Sequence, residues 1–107
     1  MAQKGGWVYI VSNSRRTVLY IGVTSNIYQR MHQHKTGVFK GFTYKYNCNE
    51  LLYFEFYLDI SDATARERQM KKWKREWKEK LIENNNPDIV DLSLDWFDEN
   101  GSLKPRE

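Results

Sequence analysis

Cysteine is almost missing from this chain, and that removes two ways in which a small protein can be held together. Cys48 stands alone, so neither an intramolecular disulfide nor a cysteine-based zinc cluster can form. Long apolar runs are missing too. No stretch approaches the ~20 residues of a membrane span, and the first residues lack the apolar core of a signal peptide. A cytoplasmic protein without a membrane partner is the expectation. From Asp88 to Glu99 there is no Lys or Arg, whereas Arg66 to Lys80 carries eight basic residues against three acidic ones. The positive charge is thus concentrated on one predicted helix, the usual footprint of a polyanionic partner, with a solvated helix face as the plainer alternative.

What is present suits one small α+β domain. The 107 residues include 15% aromatics, enough for a single core. Residues 1–100 are read as that domain and 101–107 as a loose tail. Trp7-Val8-Tyr9-Ile10-Val11 and Val18-Leu19-Tyr20-Ile21-Gly22-Val23 flank the polar turn Asn13-Ser14-Arg15-Arg16, the pattern of a β-hairpin. Alternation puts Trp7, Tyr9 and Val11 on one face of the first strand and Val18, Tyr20 and Gly22 on one face of the second. If those faces coincide, both phenols project from one surface. A short helix is predicted over Ile27 to Lys35, capped within Thr24-Ser25-Asn26 and stopped at Gly37. Ile27, Arg30, Met31 and His34 share its inward face. Phe39 to Asn49 reads as an ordered loop, and Leu51 to Leu58 as a central strand packed on both faces. A long helix follows, capped by Ser61 or Asp62 and running from Ala63 to about Asn84, whole or broken. Its apolar stripe is Ala63, Met70, Trp73, Trp77 and Leu81, with Glu67 on it, and Asn84-Asn85-Asn86-Pro87 ends it.

With these elements in place, the chain resembles the GIY-YIG endonucleases. The resemblance rests on Tyr9, Tyr20-Ile21-Gly22, Arg30, His34, Gly41-Phe42-Thr43-Tyr44-Lys45-Tyr46, Glu67 and Asn86-Pro87 ahead of Asp91-Leu92. The last three are similar to the small bacterial members. Trp7 stands where the family's first tripeptide has its naming glycine. The resemblance implies a GIY-YIG fold, a three-stranded, mainly antiparallel sheet flanked by helices, and divalent-metal-dependent hydrolysis of DNA phosphodiesters through a water nucleophile.

Such hydrolysis needs an activated water, a cation on the phosphate and stabilisation of the leaving oxygen. Glu67 suits a single-carboxylate anchor for Mg²⁺ or Mn²⁺, and Arg30 offers a planar fork to the phosphate. His34, with an ordinary pKa of about 6.5, could hold or relay a proton near neutral pH. A free phenol, with a pKa of about 10, is a poor base until Arg30 and a metal lower that value. The resemblance makes Tyr9 the acceptor of the water's proton, supported by His34 and Tyr20, and makes Asn86 an orienting group, with Asn84 and Asn85 as competing assignments. Lys45, Lys71, Lys72, Lys74 and Arg75 are the candidate phosphate contacts. Taken singly, each residue has a blander reading: strand tyrosines as packing residues, Arg30 and His34 as helix surface, Glu67 as the end of a Thr64 capping box, and Trp73 and Trp77 as core. The order and spacing of the set favour the nuclease. A non-catalytic nucleic-acid-binding module on the same scaffold is the alternative, and a structural or protein-interaction role a third. Cutting both strands would need a homodimer or successive events, and specificity a separate partner.

Overall fold

A computed structural model describes residues 4–38 and 40–104. Three strands form one antiparallel sheet in the order β2-β1-β3: β1 Gly6–Ser12, β2 Leu19–Thr24 and β3 Glu50–Tyr57. The hairpin pairs Tyr9 with Gly22 and Val11 with Tyr20, so the predicted faces do coincide. Asn13 shapes its turn, its side-chain oxygen accepting from Val18 N–H at 3.0 Å, while Arg16 takes a left-handed φ of 61°.

β1, not β3, is the central strand. Val8 to Ser12 of β1 are wholly buried, whereas Phe56 at the far end of β3 is half exposed. The density of the Leu51-Leu52-Tyr53-Phe54 run comes from a bulge: pairing jumps from Ile10↔Tyr53 to Val11↔Leu51. Leu52 and Tyr53 then both reach the same core while Leu51 reaches the other, as an inserted residue breaks the two-residue alternation.

Each sheet face is covered by different helices. Val8, Ile10, Ile21 and Leu52 meet Ala63, Met70 and Ile82 from α3 (Ile60–Lys71) and α4 (Arg75–Asn85). Tyr9, Val11 and Leu51 meet Ile27 and Met31 from α1 (Ile27–Thr36), with Leu92, Trp96 and Phe97 alongside. Each fully buried aliphatic side chain of this kind contributes about 1.5–3 kcal/mol. Asn26 caps α1 by accepting from Gln29 N–H, and Gly37 ends it with φ 69°. The long helix is two helices. Its cap is Asp59 rather than Ser61 or Asp62, because the Asp59 carboxylate accepts from Ser61 N–H. The chain then breaks over 72–74, with Lys74 extended at ψ 151° before α4. The break turns Trp77 outward, 52% exposed, so it is not core; Trp73 packs partly buried against the sheet.

Two polar hubs fasten the outer parts. Glu55 accepts from Tyr53, Tyr57 and Arg66, tying β3 to α3. Asp91 accepts from Leu51 N–H, Ser93 and Lys35, the last at 2.6 Å, and so joins the terminal segment to β3 and α1. Within the expected loop of 39–49, Phe42–Lys45 forms a one-turn helix, α2; Phe39 lies outside the described residues. Nor is the tail loose from Gly101, since Leu103 bridges Phe97 and Lys104 N–H donates to the Trp96 carbonyl. Residues 105–107 lie outside the described residues.

Candidate active site

Tyr9 sits at the middle of the middle strand and is wholly buried. Its ring crosses directly over Gly22 on β2: a Cβ at that position would lie 2.4 Å from Tyr9 Cζ and Oη. Only glycine leaves room for the phenol to reach across its neighbour. The hydroxyl lies 3.1 Å from His34 Nε2 and 3.5 Å from Arg30 Nη1. The spacing of α1 accounts for this, since Ile27 and Met31 anchor the buried face that also carries Arg30 and His34. Tyr9, Tyr20, Arg30 and His34 line one open cavity of about 320 Å³ together with Gly41, Phe42 and Thr43.

Burial decides the protonation states. It pushes the Tyr9 phenol up to about 12, a rise that Arg30 offsets only in part and to which the Glu67 charge adds. Burial, with Arg30 in support, pushes His34 down to about 4. Without a cation both groups are therefore neutral at pH 7; Arg30 alone does not outweigh burial at the phenol, so the expected lowering falls to the metal. His34 Nδ1 is buried without a hydrogen-bond partner among the described residues. With the neutral phenol, His34 Nε2 is the acceptor within reach of the Tyr9 O–H; with the phenol ionised and the imidazole proton on Nε2, the phenolate oxygen faces two donors, His34 and Arg30.

Glu67 approaches from the opposite face of the sheet. It lies on α3, its side chain only 15% exposed, with Lys71 Nζ 3.7 Å from its carboxylate. Lys71 also reaches over the Tyr20 ring, 5.9 Å from its centre. Glu67 lies in the interior of α3, which starts at Ile60, and the Thr64 hydroxyl bonds back to Ile60, so no capping box forms.

Comparison with known proteins follows this geometry. Residues 5–80 match the GIY-YIG catalytic domain. The chain belongs to the GIY-YIG family. That family is a family of nucleases. A UPF0213 protein of Haloquadratum walsbyi is 34% identical over 77 residues, 72% of this chain and 85% of that protein. UPF0213 proteins of Syntrophus aciditrophicus and Oceanobacillus iheyensis are each 35% identical, over 74% and 72% of this chain and 91% and 88% of theirs. No solved structure matches the chain.

In this GIY-YIG domain the structure gathers Tyr9, Tyr20, Arg30 and His34, with Glu67 near enough to act on Tyr9. Asn86 is not among the residues that line the cavity. It is buried at the end of α4, its amide donating to the carbonyls of Leu52 and Val90, and so orients the backbone. Arg75 is exposed, and its guanidinium donates to the Arg16 and Thr17 carbonyls, anchoring the hairpin turn to α4. Lys45, Lys72 and Lys74 are exposed. Trp7, in place of the glycine, packs against Phe54 and Phe56 and is not among the cavity's lining residues. Phe42 and Thr43 were not singled out as site residues from the sequence; the glycines flanking an aromatic-basic segment were the available signal.

Among the described residues, no three His, Cys, Asp or Glu side chains converge as a metal site. The donor set nonetheless fits a hard cation. Mg²⁺ keeps most of its waters and needs only one or two carboxylates, and Glu67 supplies one, largely sheltered on α3 and close enough for its charge to act on Tyr9.

Proposed function

We propose that this protein is an endonuclease that hydrolyses DNA phosphodiester bonds with water as the nucleophile and a divalent cation, Mg²⁺ or Mn²⁺, held by Glu67. The observation that carries this reading is the Tyr9 hydroxyl, set at the floor of a cavity and met by His34 and Arg30. Tyr9 as phenolate takes the proton of the water that attacks phosphorus. His34 and Arg30 stabilise that phenolate by donating to it, and Arg30 also faces the charge that develops on the phosphate. Tyr20 borders the same cavity and positions the water. When bound, the cation supplies positive charge that offsets the phosphate and lowers the pKa of neighbouring groups. The P–O3′ bond breaks and the departing oxygen takes a proton from solvent water, leaving a 3′-hydroxyl and a 5′-phosphate.

Lys71, at the Glu67 side of the cavity, and Lys45, Lys72 and Lys74 would contact phosphates along the approach. The test is cleavage of a labelled panel of duplex, flapped, four-way-junction and single-stranded DNAs with Mg²⁺ or Mn²⁺, beside EDTA and Glu67→Ala controls. Metal-dependent cutting lost in the variant is expected. Salt-dependent binding with no cutting of any substrate would instead favour a non-catalytic binding module.

A further inference from the structure

Three aromatic rings lead outward from the cavity in a row. Tyr20 lies 5.9 Å from Phe42 with planes tilted by 30°, and Phe42 lies 4.8 Å from Tyr46 at 49°. Phe42 and Tyr46 are four residues apart and so share one face of the α2 turn. They are 50% and 40% exposed, although a one-turn helix could have kept those rings inward. α2 is held through Thr43, whose carbonyl accepts from the N–H of buried Cys48, and through Tyr44, whose ring packs against Gly37 at the end of α1 so closely that a Cβ there would lie 3.0 Å from it. Cations flank the row at both ends, with Lys71 over Tyr20 and Lys45 Nζ 5.4 Å from the Tyr46 ring centre.

We propose that Tyr20, Phe42 and Tyr46 form a stacking site for unpaired nucleobases next to the phosphate being cut. The proposal rests on the nuclease reading and adds a subsite to it. A row of exposed rings bracketed by lysines matches a strand whose bases present flat faces while its phosphates present charge. An apolar peptide would gain nothing from the lysines. The reacting hydroxyl is fully recessed, and the cavity's 320 Å³ is at the lower end of sites that enclose one small ligand, about 300–1,000 Å³. A single nucleotide drawn out of its stack fits that space, and its neighbours would lie on Phe42 and Tyr46.

The experiment uses the full chain in EDTA, so that nothing is cut, and an oligonucleotide carrying 2-aminopurine either in a single-stranded flap or within the paired region. Stacking quenches this fluorophore. Quenching is expected in the flap, and Phe42→Ala should weaken flap binding about tenfold, within the range found for one base on one ring, with a smaller loss for Tyr46→Ala. Both rings are half exposed, so the fold should persist. Phe42→Trp should retain binding, and Phe42→Leu, apolar but without a π-face, should not. If Leu serves as well as Phe, or if flap and duplex binding weaken equally, the stacking site is wrong and the nuclease reading stands. If neither oligonucleotide binds in a salt-dependent way, both are wrong.

Discussion

Replacing Gly22 by alanine tests the site at its tightest point. The added methyl would sit 2.4 Å from Tyr9 Cζ and Oη and 2.8 Å from Cε1, where ordinary contacts begin near 3.4 Å, so the ring must retreat by about 1 Å. It has little room, because the core on that side is Val11, Ile27, Met31 and Leu51, all wholly buried. Overpacking of this kind costs about 1–3 kcal/mol, and each kcal/mol lowers the melting temperature of a domain this size by about 4–8 °C. The retreat also withdraws the hydroxyl from His34 and Arg30, and a misplacement of about 1 Å costs on the order of 100-fold in rate. Thermal melts and single-turnover cleavage should show both losses. Adding Tyr9→Leu, which removes the crowded ring atoms, should restore the melting temperature and leave cleavage absent. Wild-type melting and cleavage in Gly22→Ala would refute the reasoning, as would recovered cleavage in the double variant.

Other outcomes follow from the same geometry. If Tyr9 acts as phenolate, burial raises its pKa and Arg30 and the bound cation lower it, so the single-turnover rate with metal should rise with pH until the phenol is ionised; a rate that is flat or falls from pH 6 to 9 would transfer the proton to another group. Glu67→Gln should remove metal-dependent cleavage with the melting temperature nearly unchanged, checked by the same two assays. Arg75→Ala should cost about 1 kcal/mol, from its bonds to the hairpin turn, and leave the salt dependence of DNA binding alone, whereas Lys72→Ala and Lys74→Ala should each flatten the slope of log K against log salt by about 0.9. Asp91→Ala should destabilise by about 2–4 kcal/mol. Burial opposes the Asp91 charge, but hydrogen bonds from Lys35, Ser93 and Leu51 outweigh it and hold the carboxyl below its usual value. In the wild type this contribution is therefore complete above about pH 4 and is lost as the pH falls further, which acid titration of the two proteins would reveal.

The hairpin was legible in the sequence because alternation and a polar turn are local signals, and they suffice to bring Tyr9 and Tyr20 to one face. The same holds for α1, where helical spacing alone aligns Arg30 with His34. Strand order was not legible. β3 lies beside β1 through pairing between residues 38 to 51 positions apart, and its bulge at Leu52 made an edge strand read like a central one. The break between α3 and α4 carries no Pro or Gly, and the apolar stripe continues through it to Trp73, so periodicity passes over it. Arg75 and Asn86 show a further limit: residue type suggests phosphate binding or a catalytic amide, but only the fold shows which backbone carbonyls each one reaches. The protonation states were hidden for a similar reason, since the burial of Tyr9 depends on what covers β1.

The sheet order also sets when the chain becomes capable of chemistry as it is made. Tyr9, Tyr20, Arg30 and His34 all lie within the first 34 residues, on β1, β2 and α1. The carboxylate comes from α3, which follows β3 in the chain and packs on β1 and β2. A growing chain, or one cut short before Glu67, therefore carries the phenols, guanidinium and imidazole without the group assigned to the cation. If Glu67 holds the cation as proposed, the part of the domain made last is the part that completes the site.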